Sequence, residues 1–458
     1  MTTFSDANLP VAVIGAGPVG LAAAAQLLER GIEPLVLEQG SGPAAAIRQW
    51  GHVTLFSPWR YNIDAAAERL LMATGWTPPP PDRLPTGAEL VEQYLEPLAR
   101  LPELASQIRY SAEVAAVSRL GLDRMNSAGR DTAPFALHWR DSAGTQQRSL
   151  ARAVIDASGT WRRPSPMGTD GLPVPGEDSL GDRIAYGIPN VLGQDISVYA
   201  GHHVLVVGGG HSAINVVLDL LRLQERAPGT RVTWALRRDG MERLLGGGLN
   251  DALPARGALG LAARDAVASG RLQLLSGFAA SGLRDCAGGI AVTANAAGSP
   301  VELQVDRIVV ATGFRPDRAL LAEMRVEADP ITEAPPLLAP LIDPNLHSCG
   351  TVPPHGAREL RQPEPDLYIV GAKSYGRAPT FLMRTGYEQV RSVVAELAGD
   401  HAAAERVELV LPETGVCGAP SAVEAGCCGG PAPAAANACC LADAEIKAAG
   451  GSGCGCRA

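Results

Sequence analysis

Short runs of consecutive apolar residues recur along this 458-residue chain, and several stop abruptly at glycine. Val11–Ile14 is one, short and uniformly apolar as a strand buried on both faces would be. It leads into "GAGPVG" and then "LAAAAQLLERG", which predicts a helix ending near Gly31. "PLVLE" follows as a second buried strand ending on Glu38. The same order returns downstream, with a strand at His203–Val207, a glycine turn, a helix from "HSAINVVLDLL" and a strand in "RVTWALRRDG". Two further apolar runs, "AVIDASGTW" (Ala153–Trp161) and "RIVVATGFRP" (Arg307–Pro316), also run into small residues and a glycine. Between these units the pattern predicts a loop at Thr77–Pro85, a helix over "TGAELVEQYLEPLARL", and strands near Ile108–Val117, Phe135–Trp139 and Gln147–Leu150 that form a small meander. Strands alternating with helices in this way predict an α/β protein.

The glycines carry the first chemistry. Gly15, Gly17 and Gly20 are spaced G-x-G-x-x-G between a strand and a helix, with Glu38 at the tip of the next strand. In a dinucleotide site the first glycine makes the turn, the second admits a pyrophosphate to the backbone, and the third packs helix on strand. The helix N-terminus then faces the phosphates, and the acid accepts hydrogen bonds from a ribose. Gly208, Gly210 and Ala213 repeat the spacing as G-x-G-x-x-A. The strand after them ends in Arg237 and Arg238 rather than an acid. Paired guanidiniums suit the 2′-phosphate of NADP, and the plainer reading is a solvated basic pair.

Two nucleotide units, the second inserted into the first and joined through "ATG"-like crossings, resemble the two-dinucleotide-binding-domain flavoproteins. These include thioredoxin and glutathione reductases and flavin-containing monooxygenases. The resemblance covers roughly residues 9–400 and implies FAD in the first site and NADPH in the second. It implies an FAD-binding domain at 1–198 and 318–400, an NADPH-binding domain at 199–317 and a cysteine-rich tail at 401–458. Pro365–Leu397 looks like the closing strand and helix beneath the flavin. The cofactor-binding residues so implied are Gly15, Gly17, Pro18, Gly20, Glu38, Gln39, Arg48, Trp50, Val114, Ala157, Ser158, Gly159 and Gly371 for FAD. For NADPH they are Gly208, Gly210, His211, Ser212, Ala213, Arg237, Arg238, Ala311, Thr312 and Gly313. The chain departs from the reductases at Ala372, where they usually place an aspartate. It also lacks the F-x-G-x-x-x-H signature that many flavin monooxygenases carry before the second glycine motif.

Oxygenase and reductase readings divide on thiols. A disulfide reductase needs two cysteines within reach of the flavin. "EQGSGPAAAIRQWGHVTLFSPWRYNID", after the first glycine motif, has none, and no C-x-x-C occurs in the second unit. Cys286 and Cys349 stand alone and read as incidental. That stretch offers Trp50, Phe56, Trp59 and Tyr61 instead. Arg48 and Trp50 resemble the flavin-side turn of the monooxygenases, in which reduced flavin meets oxygen in an apolar, water-poor pocket. An ordinary aromatic core is the alternative for these side chains.

Composition narrows the partners. The formal charge of −9 argues against nucleic acid and anionic membrane surfaces. Leu9–Leu28 has the length of a membrane span, yet no basic residue precedes it, and three glycines and a proline cluster at its middle. The expectation is a cytoplasmic protein with a small-molecule or metalloid substrate, with a homodimer possible. Of nine cysteines, six lie between Cys427 and Cys456 in a Gly/Ala/Pro-rich tail, which composition predicts to be a mobile extension. Cys427–Cys428, Cys439–Cys440 and Cys454-x-Cys456 suit soft thiophilic ions such as arsenite, mercury or copper(I) better than zinc, whose sites use wider spacings. Redox relay to the flavin and incidental clustering stay open. Taken together, the flavoprotein body and thiol tail resemble the flavin monooxygenases of arsenic-resistance operons. The alternatives are a thiol-dependent reductase acting on a metal ion or disulfide, and a metal-sequestering flavoprotein without catalysis.

Overall fold

The computed structural model describes residues 9–238, 253–346, 352–379 and 381–409. Its first layer is a five-stranded parallel sheet. In spatial order the strands are β16 (Leu367–Ile369), β7 (Ala153–Asp156), β1 (Val11–Ile14), β2 (Pro34–Leu37) and β3 (Ile108–Arg109). β1 is buried along its whole length, as an uninterrupted apolar run requires in a sheet covered on both faces. Helix α1 (Pro18–Glu29) covers one face and buries a row of alanines, Ala22 to Ala25. Those small side chains let α5 (Met383–Leu397) and α2 (Ala65–Met72) pack beside it. On the other face lies the antiparallel meander of β4 (Glu113–Arg119), β5 (Phe135–Arg140) and β6 (Gln146–Ala151).

The chain leaves this unit after β7 and builds a second five-stranded parallel sheet. Its order is β11 (Gln273–Leu275), β10 (Arg231–Ala235), β9 (His203–Val207), β15 (Arg307–Val310) and β8 (Ile184–Tyr186). Helices α3 (His211–Arg226) and α4 (Pro254–Ala268) cover one face. A second meander, β12 (Ala279–Cys286), β13 (Gly289–Ala296) and β14 (Ser299–Val305), covers the other. After β15 the chain returns to the first sheet as β16, so the α/β duplication is realised with one fold inserted in the other.

Two local outcomes differ from the expected elements, each for a visible reason. The strand expected over 108–117 divides into β3 and β4, which belong to different sheets. Ser111 adopts φ 53° and donates its N–H to the Gly40 carbonyl at 2.8 Å, turning the chain out of the first sheet. The helix expected over 86–101 forms over residues 87–99, capped by a reciprocal Thr86/Glu89 box, but Val91–Leu95 widens into a π turn. Pro97 has no N–H to give the carbonyl four residues back. That carbonyl, on Gln93, accepts the Trp76 indole N–H at 2.9 Å instead.

Asp64 caps α2, accepting from the N–H groups of Ala66 at 2.9 Å and Ala67 at 3.0 Å. Burial raises its pKa to about 6 against the pull of hydrogen bonds from Ala67, Gln26 and Ala66. The folded value therefore exceeds the ordinary 3.8, and folding favours the neutral acid. That contribution is complete below the ordinary value and is lost as pH rises through about 6. Asp64→Asn keeps an acceptor for the cap and removes the titration. The melting-temperature difference between variant and wild type should move in the variant's favour between pH 4 and pH 7. A difference that stays flat over that range would show that the carboxyl does not titrate there.

Candidate functional site

The first glycine loop is built around missing side chains. Gly15 holds φ 99°, and a Cβ on it would lie 2.9 Å from the Ala157 oxygen. A Cβ on Gly20 would sit 1.9 Å from the Gly15 oxygen, so this third glycine is needed to pack the loop whether or not anything is bound. Gly17 is different, because a Cβ there meets nothing within 4 Å. It is the N-cap of α1, no side chain caps this helix, and Pro18 occupies its first turn. An uncapped helix N-terminus behind a Cβ-free residue that faces open space fits a diphosphate. Glu38 braces the loop, accepting from Ala16 N–H and Gly40 N–H, each at 2.7 Å. Two lone pairs of its carboxylate remain for a ribose. Ala157, Ser158 and Gly159 follow β7 along the loop, and Ala157 donates its N–H to the Ile14 carbonyl. The residues present therefore fit FAD.

The second loop repeats the construction. Gly208 holds φ 138°, and its missing Cβ would lie 2.3 Å from the Ala311 oxygen. Gly210 is the uncapped N-cap of α3 and again faces space free of atoms within 4 Å. His211 and Ser212 open the helix and Ala213 is buried on it. Thr312 and Gly313 leave β15 beside this loop, with Gly313 at φ 97°. Arg237 and Arg238 stand exposed just past β10, with no ion pair among the described residues. The loop fits the phosphates of a second dinucleotide.

The two folds meet through aromatic side chains. Phe56 of the first fold lies 5.5 Å from the His211 ring of the second. Trp161, on the outgoing crossing, stacks on Phe314 of the returning one at 4.6 Å and lies 6.4 Å from Trp50. The Trp161 indole donates to Gln49 at 2.8 Å. A cleft of about 330 Å³ opens here, lined by Gln49, Trp161, Arg162, Pro164, Tyr186 and Phe314. The crossings are laced together by Ser165 N–H to Gly313 O at 2.9 Å and Arg315 N–H to Arg163 O at 2.8 Å.

The other implied residues scatter. Arg48 turns away from Trp50, its Nε donating to the Pro43 carbonyl at 3.2 Å and its Nη2 lying 3.7 Å from Glu96. It lines a second cleft of about 530 Å³ with Ser41, Glu96, Arg100 and Tyr110. Gln39 is exposed and accepts from Arg162. Val114 is half-buried on the meander opposite Trp139. Gly371, at φ 68°, donates its N–H to Gln389 of α5 at 2.7 Å. The six tail cysteines, Cys427, Cys428, Cys439, Cys440, Cys454 and Cys456, lie outside the described residues, as does Cys349. Among the described residues no cluster of His, Cys, Asp and Glu could hold a metal ion, and Cys286 is the free cysteine.

One ionic contact escaped the sequence. Lys373 Nζ lies 2.7 Å from Asp156 and 2.9 Å from Ser158 Oγ, and both charged side chains are fully buried. The pair ties the loop after β16 to the end of β7. The available signal was a lysine two residues past Gly371, facing an aspartate at the end of an otherwise apolar strand.

Two family profiles match the sequence, each over less than half of it. They are FAD-dependent oxidoreductase, over residues 10–134, and L-lysine 6-monooxygenase/L-ornithine 5-monooxygenase, over residues 89–245. Indole-3-pyruvate monooxygenase YUCCA6 of Arabidopsis thaliana is 29% identical over 217 residues, 45% of this chain and 44% of that protein. The match thus spans less than half of that curated relative. Among solved structures, the bacillithiol disulfide reductase Bdr of Bacillus cereus aligns with TM-score 0.64 and 21% identity, over 85% of this chain and 99% of that one. The cadaverine monooxygenase DfoA of Erwinia amylovora, bound to FAD, aligns with TM-score 0.60 and 15% identity, over 89% and 98%. At these identities the structures speak to the fold alone. No helix among the described residues is long and apolar enough to cross a membrane. The sequence profiles, the structural alignments and the two glycine loops agree: this chain has the α/β fold of the FAD-dependent oxidoreductases, and the enzymes it matches are oxidoreductases, monooxygenases among them.

Proposed function

We propose that this protein is an NADPH-dependent flavin monooxygenase acting on a soft nucleophile, with trivalent arsenic as the substrate. The observation that carries the oxygenase reading is the aromatic junction of Trp50, Trp161 and Phe314 where the two folds meet, with no cysteine among the described residues that line it. Bound FAD would supply hydride acceptance and oxygen activation. The protein's part is positional. The α1 N-terminus and Gly17 would hold the diphosphate, Glu38 the ribose, and Gly208 and Gly210 the second dinucleotide. Trp161 and Phe314 supply the aromatic part of a cleft wall that also carries Gln49, Arg162 and Tyr186. Tyr186 stands there as a hydroxyl that donates to Glu177 at 2.8 Å, and burial and the Glu177 carboxylate push its phenol further up from its ordinary value.

Arsenite is favoured by the paired cysteines of the tail, whose spacing suits a thiophilic ion. With arsenite the FAD-loaded protein should consume one NADPH and one dioxygen for each arsenate formed. NADPH consumption that continues without oxygen, with mercuric ion or a disulfide as acceptor, would assign the protein to the thiol-dependent reductases. The fold it shares with the bacillithiol disulfide reductase keeps that second reading in view. Absence of any NADPH turnover would leave metal sequestration.

The preference for NADPH rests on Arg237 and Arg238. Replacing both with Ala should weaken NADPH by about 1.5–3 kcal/mol for each charge-assisted hydrogen bond removed and leave NADH nearly unchanged. Equal weakening for the two nucleotides in fluorescence titrations would remove the assignment.

A further inference from the structure

A histidine outside both nucleotide loops is wired to the backbone behind the first of them. His355 is buried, as are Gln389 of α5 and Ser374 of the turn Gly371–Tyr375 that follows β16. His355 Nδ1 lies 3.0 Å from the Pro353 carbonyl, and its Nε2 lies 2.9 Å from Gln389 Nε2. Gln389 Nε2 also donates to Ser374 Oγ at 2.9 Å, and Gln389 Oε1 accepts the Gly371 N–H at 2.7 Å. Ser374 Oγ donates in turn to the Gly371 carbonyl at 2.8 Å.

Only one arrangement of protons satisfies these contacts. The Pro353 carbonyl can only accept, so His355 Nδ1 carries the hydrogen. The Gly371 N–H can only donate, so it requires the amide oxygen of Gln389. That amide then presents its N–H to His355 Nε2, which must accept and therefore carries no proton. A second proton on the ring would set two donors face to face. Turning the amide over would move the conflict to the Gly371 N–H and leave a buried donor unpaired. Among the described residues the titratable groups facing the ring are Glu359 on the short helix Ala357–Leu360, Glu388 on α5, and Tyr375, whose ring lies 5.6 Å away. Both acids are engaged by arginines, Glu359 by Arg358 and Glu388 by Arg391. Burial holds the His355 pKa below its ordinary 6.5 against the Pro353 hydrogen bond and those two acids.

The turn held in this way backs the first glycine loop. A Cβ on Gly371 would lie 3.4 Å from Val19 in the first turn of α1, and Lys373 reaches Ser158 in the loop after β7. We propose that His355 is a positioning residue for the flavin: as a neutral imidazole it fixes Gln389 and through it the Gly371 turn, and a second proton on the ring loosens that turn and releases FAD. The proposal rests on FAD occupying the first glycine loop and not on the oxygenase reading.

The test follows FAD release from the full-length, loaded protein by flavin fluorescence between pH 5 and pH 8. Wild type, His355→Gln and Gln389→Glu are compared, with circular dichroism of each flavin-free protein as the check on folding. The neutral ring's contribution is complete above 6.5 and is lost as pH falls below it. Wild type should therefore release FAD about tenfold faster at pH 5 than at pH 8. His355→Gln keeps an acceptor toward Gln389 and does not titrate, so its release should be nearly independent of pH. Gln389→Glu sets a carboxylate oxygen against His355 Nε2 and favours the charged ring, so it should flatten or reverse the slope. Asp64, which titrates in the opposite sense, is common to all three proteins. Either variant decides the matter if the other does not fold. Wild-type release that is flat across this range overturns the proposal, whatever the variants do. So does a folded variant whose slope is as steep as that of wild type, because another group would then be the one that titrates.

Discussion

Replacing Lys373 with methionine should destabilise the protein by about 3–5 kcal/mol, because it strands a buried carboxylate that has no other ion pair among the described residues. Asp156 and Lys373 are both fully shielded from water, and after the change Ser158 alone among the described residues would still donate to the acid. A loss of that size is a large share of the roughly 5–15 kcal/mol by which folded domains are stable. Asp156→Asn made together with Lys373→Met should recover a good part of it, because the unpaired charge goes with the first change. Denaturant midpoints for the two single variants and the double variant measure this directly. If the Lys373 variant unfolds within about 1 kcal/mol of wild type, a magnitude expected of exposed pairs, the contact is not the tight buried pair described.

Gly17→Val should abolish flavin retention while leaving the flavin-free fold as stable as before. The two halves of this expectation come from one observation, since a side chain at Gly17 meets no protein atom within 4 Å and enters only the space a diphosphate would take. Removing two charge-assisted hydrogen bonds would cost about 3–6 kcal/mol, or at least a hundredfold in retention. Gly20→Ala provides the contrast. Its Cβ falls 1.9 Å from the Gly15 oxygen, so the loop must break with or without flavin. Absorbance at the flavin band, read beside circular dichroism of the flavin-free proteins, separates the cases. A Gly17→Val protein that purifies fully yellow would place the diphosphate elsewhere.

Much of the architecture was legible because strand, glycine loop and helix are adjacent in sequence. Val11–Ile14, the loop and α1 form where the pattern put them, and so does their repeat at His203–Val207. Side-chain direction was less legible. Arg48 and Trp50 are two residues apart, yet one points toward Glu96 and the other toward Trp161. A short helical turn over Ala45–Gln49 sets that divergence, and spacing alone does not report it. Contacts over long separations were hidden for a similar reason. Asp156 and Lys373 are 217 positions apart and meet only once β16 has paired with β7. The split at Ser111 and the π turn before Pro97 were local in origin, but each depended on a distant partner, Gly40 in one case and Trp76 in the other.

The paired crossings have a mechanical consequence. Two separate single-stranded connections would let the inserted fold swivel about each in turn. Here the segments at 163–166 and 312–316 are hydrogen-bonded side by side, and Trp161 is stacked on Phe314. They therefore behave as one ribbon, and turning one nucleotide fold against the other must twist that ribbon as a unit. Torque applied at either nucleotide loop would be carried to the other by this short strap together with the Phe56–His211 contact. A protease nick in one crossing would leave the strap's lateral hydrogen bonds in place and the two halves still joined through the uncut strand.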